Sequence, residues 1–294
     1  MTKRRMLVGL IGANIQGSMS PALFADAFAG AGIDGYYHLL DADRLAERRL
    51  PQLLGAVKTA GFAGVNVTYP FKQDIIPLLD AVDPEASEVG AVNTVSITPD
   101  GRTTGYNFDR RGWRNSFLEV LGPDSAKDKT VVQVGAGGAG RAVAFALMDL
   151  GVADLILHDL DRARADALKS QLASQYGTSR CRIVGSLEQD IARADGIVNA
   201  TQVGMRGFPG CPVPVASIKA RHWAADVIYT PMQTAFLSAA VAKGARVLNG
   251  GGMCVHQAVA AFQCLTGVTP DVARLHRTFA AAVAARDAGL AAAS

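Results

Sequence analysis

The chain has 294 residues, 49% of them hydrophobic and 19% charged. That length supports two cores, and the balance is that of a folded globular protein rather than a disordered one. The net charge of +3 comes from scattered residues with no Lys/Arg run, so a nucleic-acid partner is not expected. No charge-free apolar stretch approaches the ~18 residues that span a bilayer, so a membrane partner is not expected either.

Leu7–Ile11 reads as a first buried strand. A loop over Gly12–Ser20 follows, and Pro21 opens a helix over Ala22–Ala31. Tyr36–Leu40 reads as a second strand, and Leu45–Thr59 as a helix closed by Gly61. Gly64–Thr68 is a third strand, and Tyr69-Pro70-Phe71-Lys72 is expected to turn into another helix. Ala91–Thr98 and Arg102–Tyr106, joined by Pro99-Asp100-Gly101, carry the Asp-Gly hairpin signal. This first half predicts a mixed α/β sheet.

Trp113–Leu121 reads as a helix bridging to the second half. Val131–Val134, Asp154–His158, Arg182–Val184, Gly196–Ala200, Ala224–Ile228 and Arg246–Leu248 supply strands at the spacing of a doubly wound sheet. Two last helices, Met253–Leu265 and Val272–Ala285, are expected to pack back on the first domain or bridge both. The small-residue tail Gly289–Ser294 is expected to fray.

Thr130–Gly140 is the most informative stretch: a short apolar strand runs into Gly135-x-Gly137-x-x-Gly140 and then a helix. That is the dinucleotide fingerprint in context. One glycine makes the turn, one lets a pyrophosphate approach, and one lets helix and strand pack closely. The helix start offers free N–H groups and a positive dipole end. Gly135, Ala136, Gly137, Gly138, Ala139 and Gly140 are therefore cofactor candidates. Asp159 ends the next strand, about 20 residues past the last glycine, where a carboxylate accepts from an adenosine ribose and repels a 2′-phosphate. NAD is favoured, while Arg162 and Arg164 leave NADP open. His158 is expected to face the opposite side from Asp159. Asn199 and Thr201 end a strand at the ligand edge of the sheet, beside the cofactor or as loop caps. Val227, within the strand Ala224–Ile228, and Gly250, just past the strand Arg246–Leu248, complete the expected cofactor contacts.

Cys181, Cys211, Cys254 and Cys264 lie far apart with no C-x-x-C, which reads as reduced thiols rather than a disulfide framework. Met1–Arg5 is basic, but no apolar run of leader length follows, so a cytoplasmic enzyme is expected. No zinc-ligand cluster is present, so no metal is expected and alcohol oxidation would use a general base. Polar residues gather at strand ends of the first half: Ser18 and Ser20, Asn66 and Thr68, Asn93 and Thr94, Asn107 and Asp109. Lys72, placed in the first turn of a helix, is electrostatically disfavoured there and so suited to proton exchange, with Asp109 as its partner. Blander readings stand beside these. Taken without its context Lys72 reads more often as a surface lysine; Ser18 and Ser20 also read as a helix cap, and Asn93 as a turn partner.

The chain resembles the shikimate/quinate dehydrogenase family. The carrying stretches are L-I-G-A-N-I-Q-G-S-M-S-P (10–21), G-V-N-V-T-Y-P-F-K (64–72), G-A-V-N-T-V (90–95), G-Y-N-F-D (105–109), V-G-A-G-G-A-G-R-A (134–142), N-A-T-Q-V-G-M (199–205), D-V-I-Y-T-P (226–231) and G-M-C-V-H-Q-A (252–258). The resemblance implies a substrate domain over 1–109 with 252–294 packing back on it, and a Rossmann-type NAD(P)-binding domain over 110–251. It implies a catalytic pair at Lys72 and Asp109, and substrate contacts at Ser18, Ser20, Thr68, Asn93, Tyr229 and Gln257. The implied reaction is reversible oxidation of the C3 hydroxyl of shikimate or quinate, by a monomer or homodimer. The NADP-reading Asn-Arg-Thr of the biosynthetic branch is replaced here by Asp159, Leu160 and Asp161, so the chain is similar to the NAD-using members. Phe24 and Phe108 depart from the family pattern. They keep open an aminoshikimate-type or other polyol dehydrogenase, and a non-catalytic NAD-binding module remains the alternative of another class.

Overall fold

A computed structural model describes residues 4–46 and 48–291. In chain order the first elements are β1 (Arg5–Gly12), α1 (Ser20–Ala31), β2 (Asp34–Asp41), α2 (Leu50–Thr59), β3 (Gly64–Val67), β4 (Ala81–Val82), α3 (Pro84–Val89), β5 (Thr94–Ile97) and β6 (Thr103–Tyr106). Then come α4 (Asp109–Val120), β7 (Thr130–Val134), α5 (Gly138–Asp149), β8 (Asp154–His158), α6 (Arg162–Tyr176), β9 (Cys181–Ile183), α7 (Leu187–Arg193) and β10 (Gly196–Asn199). The last are β11 (Trp223–Asp226), α8 (Ala235–Ala242), β12 (Arg246–Leu248), α9 (Gly251–Thr266) and α10 (Val272–Ala291). Among the described residues no helix is long and apolar enough to cross a membrane.

The chain divides into two compact units, one up to Phe108 plus Cys254 onward, the other Asp109–Met253. The first holds a six-stranded mixed sheet in the order β2-β1-β3-β5-β6-β4. β1 runs parallel to β2 and β3, whereas β5 lies antiparallel to β3 and β6 in the expected hairpin. On one face Leu50, Leu53, Leu54 and Val57 of α2, at helical spacing, pack against Ile11, Val65 and Val67. Truncating one of these, Leu53→Ala, removes about 2–5 kcal/mol from this core. Elsewhere in the unit Phe24 and Phe28 of α1 meet Tyr37 of β2 and Phe262 of α9 in an aromatic cluster.

The second unit holds a six-stranded sheet in the order β12-β11-β10-β7-β8-β9, with every pairing parallel. That is the doubly wound order, and the direction of winding reverses between β7 and β10. Its strands are near-continuous apolar runs because helices cover both faces. Val132, Ile156, Ile197 and Ala224 form the core with Phe236 and Leu237 of α8.

Several expected boundaries are corrected. The helix expected from Leu45 begins at Leu50, because Pro51 fits only the first turn, where its missing N–H has no partner to lose. No α-helix begins at Lys72; the chain makes a series of turns from Tyr69 and then a short 3₁₀ segment, Ile76–Leu78, around Pro77. The bridging helix starts at Asp109 rather than Trp113, so Asp109 opens α4 instead of ending the hairpin. The tail expected to fray from Gly289 is helical through Ala291, and residues 292–294, like the first three of the basic Met1–Arg5 stretch, lie outside the described residues.

Candidate functional site

In the second unit the site is built on the end of β7. Gly135 has φ +105°, and a Cβ there would lie 2.6 Å from the Ala200 carbonyl oxygen. A Cβ on Gly140 would overlap the Gly135 carbonyl, so α5 packs on the turn only because residue 140 has no side chain. Around Gly137 a Cβ would meet nothing within 4 Å. The three glycines thus divide as turn, open approach and close packing. Gln133, buried in β7, donates its amide Nε2 to the carbonyls of both Gly135 and Gly140 at 2.8 Å each. The N-terminus of α5, Gly137 through Ala139, carries no side-chain cap, so its N–H groups are available to an anion.

Asp159 follows β8. Its Oδ2 accepts from the Ala136 N–H at 2.7 Å and its Oδ1 from the Asp161 N–H at 2.9 Å. Two hydrogen bonds leave lone pairs for a ribose diol, and the fixed charge disfavours a 2′-phosphate. Arg164 pairs with Asp161 at 3.2 Å and Arg162 with Asp166 at 3.1 Å. Both pairs are exposed and each is worth about 0–1 kcal/mol, so the arginines are occupied but not locked. An open glycine, an uncapped helix start and a braced carboxylate together fit a dinucleotide.

Past the switch point, Asn199 ends β10 and Asp226 ends β11, side by side in the strand register. Asn199 donates Nδ2 to Asp226 Oδ1 at 3.1 Å and to the Val203 carbonyl at 2.9 Å. Its Oδ1 accepts the Thr201 hydroxyl at 2.7 Å, and the Thr201 oxygen accepts the Val203 N–H at 3.0 Å. Thr201 therefore caps this loop, as the blander reading had it. Asp226 also accepts the Ile228 N–H at 3.0 Å and the Thr234 hydroxyl at 2.8 Å. Burial pushes its carboxyl up to about 6, against the lowering effect of these hydrogen bonds. Val227 donates its N–H to the Asn199 carbonyl at 3.1 Å, and Gly250 lies so close to the Val227 carbonyl that a Cβ would overlap it. Tyr229 is half-buried in the loop after β11.

In the first unit, the C-terminal ends of β1 and β3 meet the start of β5 and the end of β6. Ser18 Oγ accepts the Ser20 N–H at 3.2 Å as α1 begins, and Ser20 is buried. Thr68 donates its N–H to the Ile11 carbonyl at 3.0 Å, and the Lys72 carbonyl accepts the Val92 N–H at 2.8 Å. Asn93 Oδ1 accepts from the Phe108 N–H and the Thr94 hydroxyl, each at 3.0 Å. Among the described residues its buried Nδ2 has no hydrogen-bond partner. A buried amide donor in that state fits a polar ligand group. Asn66 has its partners inside the protein, accepting from Tyr37 and donating to Thr94. Gln257, half-buried on α9, donates to the Cys254 carbonyl at 3.1 Å. Thr68, Lys72 and Asn93 share one sheet end, whereas Asp109 opens the second unit.

Three residues were missed from sequence. Asp41, at the end of β2, accepts the N–H groups of Asn14 at 3.0 Å and Ile15 at 3.2 Å and the Gln16 amide at 2.9 Å, holding the loop that leads to Ser18. Burial alone would raise its carboxyl, but these hydrogen bonds and one from Asp43 outweigh it and hold it below the usual range. Gln133 and Asp226 are the others. A polar residue within or at the end of an apolar strand run was the available signal for all three. Phe24, read as a departure able to reshape the substrate pocket, is 1% exposed with its ring 4.5 Å from that of Tyr37. It is core, and the support it lent to an amino-analogue enzyme falls. Phe108 stacks on Tyr106 at 5.8 Å between centroids.

Residues 10–95 match the family of the shikimate dehydrogenase substrate binding domain. The quinate/shikimate dehydrogenase (NAD(+)) of Corynebacterium efficiens is 44% identical over 95% of this chain and 99% of its own. Quinate dehydrogenase from Corynebacterium glutamicum, solved in complex with NAD, superposes with a TM-score of 0.87 at 42% identity, covering 95% of this chain and all of its own. Shikimate 5-dehydrogenase from Thermus thermophilus, solved with NADP(H) and shikimate, has a TM-score of 0.82 at 34% identity over 94% of this chain and 99% of its own. A relative of that identity over nearly the whole length settles the matter, and this chain belongs to the quinate/shikimate dehydrogenase family.

Proposed function

We propose that the chain catalyses reversible, NAD-dependent oxidation of the C3 hydroxyl of quinate and shikimate. The observation that carries the cofactor choice is Asp159, a carboxylate pinned against the glycine turn by Ala136 where an NADP enzyme needs a cation. Bound NAD supplies the hydride acceptor. Lys72 accepts or relays the hydroxyl proton as hydride leaves C3 and stabilises the charge that develops on oxygen, the base being the Lys72–Asp109 pair rather than either residue alone. Asp109 is its partner, on the strength of the motifs that carry the two residues. Ser18, Ser20, Thr68, Asn93, Tyr229 and Gln257 orient the ring hydroxyls and the carboxylate. The buried Asn93 Nδ2 supports this by offering one donor to a substrate oxygen. Gly138, Ala139 and Gly140 at the start of α5 hold the pyrophosphate. Thr201, Val227 and Gly250 shape the other side, and Arg164 stands at the ribose end. A cytoplasmic monomer or homodimer belongs to the same proposal, in keeping with four free cysteines.

A panel of quinate, shikimate and the amino analogue, each with NAD and NADP, tests it through NADH absorbance. NAD with quinate or shikimate should give the highest kcat/KM. Turnover of the amino analogue alone, or of none, would overturn the proposal.

A further inference from the structure

Asp226 is a fully buried carboxylate whose donors are all neutral: the Asn199 amide, the Ile228 N–H and the Thr234 hydroxyl. Among the described residues no ion pair joins it to a cation. An ionised carboxylate in such a place is costly unless a positive charge arrives. Its position in the sheet says which charge that is. In a doubly wound fold the dinucleotide crosses the strand ends at the switch point. Asp159 follows β8, on one side of the glycine turn, and Asp226 ends β11, two strands away on the other. At roughly 4.8 Å per strand that is about 10 Å from β7, on the side away from the ribose-reading carboxylate. The half of the cofactor that lies there carries a positive charge when oxidised and none when reduced.

We propose that Asp226 is the counter-charge of the oxidised nicotinamide, setting the protein's preference for NAD⁺ over NADH. This rests on the dinucleotide reading of the second unit. Among the described residues the Cys211 thiol faces Asp226 from a neighbouring segment; burial holds it up, so it stays protonated throughout the range of interest. Thr234, at the start of α8, and Asn199, on β10, are neutral. With its carboxyl pushed up to about 6, Asp226 gains and loses its charge where binding can be measured.

The test is equilibrium binding of NAD⁺ and of NADH, separately, between about pH 5 and about pH 8. Titration at the ribose end affects both forms alike and cancels in the ratio of the two dissociation constants. In the wild type the preference for NAD⁺ should grow by about tenfold as Asp226 ionises. D226N keeps one oxygen for Asn199 and Ile228 and presents its NH₂ to the Thr234 hydroxyl, so the loop is retained and the charge removed. Its ratio should be flat with pH, with both ligands still bound. Thr234→Val removes a donor to the ionised form and should move the wild-type transition to higher pH, a result that stands even if D226N does not fold. A wild-type ratio independent of pH, a D226N ratio that still rises, or a transition unmoved in Thr234→Val overturns the proposal. Wild-type protein that binds neither ligand would instead overturn the dinucleotide reading itself.

Discussion

Gly137 and Gly140 are both small for a reason, and the reasons differ enough to be separated by one methyl group each. Gly137 is the N-cap of α5 with φ −73° and ψ −168°, which alanine adopts without strain, and its missing Cβ faces open space. Gly137→Ala restricts the unfolded chain, a gain of about 0.4–1 kcal/mol, and gives back a comparable amount because alanine caps less well than glycine. Its stability should therefore stay within about 1 kcal/mol of wild type. The new methyl stands where the pyrophosphate must approach, and overpacking of about 1–3 kcal/mol there weakens NADH by roughly ten- to a hundredfold. Gly140→Ala presses its methyl into the Gly135 carbonyl, which is backbone and is held in place by Gln133. Helix or turn must shift, at about 2–3 kcal/mol, or about 5–10 °C in Tm for a unit of this size. Thermal unfolding and NADH titration on both variants read the two effects. A Gly137→Ala protein that binds NADH normally, or a Gly140→Ala protein as stable as wild type, would refute the division of labour.

Lys72→Ala should lower kcat by about 10²-fold or more with NADH affinity close to wild type; near-normal turnover removes Lys72 from the chemistry. Asp159→Ala loses the ribose acceptor and the brace on Ala136 together, so NAD weakens while NADP gains little. Measured kcat/KM for both cofactors checks this, and an unchanged NAD/NADP ratio counts against it. Asp226 also predicts a stability profile. Because burial raises its carboxyl from 3.8 to about 6 in the folded state, the unfolded chain ionises first as pH rises. Native stability then falls across that window by about 3 kcal/mol and is level above it. Urea midpoints of wild type and D226N should converge below this window and diverge above it in the variant's favour.

The strand–turn–helix around Gly135 was legible because its signal is local: spacing, apolar run and glycine positions all lie within a dozen residues. Asp159 was legible for the same reason, through a fixed distance along one βαβ unit. What failed depended on proline geometry or on register. Pro51 forbids the helix from extending back to Leu45, and Pro77 limits the segment after Lys72 to turns and a 3₁₀ piece. The Asn199–Asp226 link needs β10 and β11 aligned residue for residue, which no periodicity reveals. Phe24 looked like a pocket residue from motif position alone, and only the neighbouring rings show that it is core.

Gln133 carries a consequence for how the cofactor is captured. Its single amide ties both shoulders of the glycine turn from behind, on the side away from solvent. The loop therefore has its shape before anything arrives, and association need not spend entropy on ordering it. Capture is then governed by encounter and desolvation rather than by rearrangement of the turn, which suits an enzyme that must exchange its spent cofactor on every cycle.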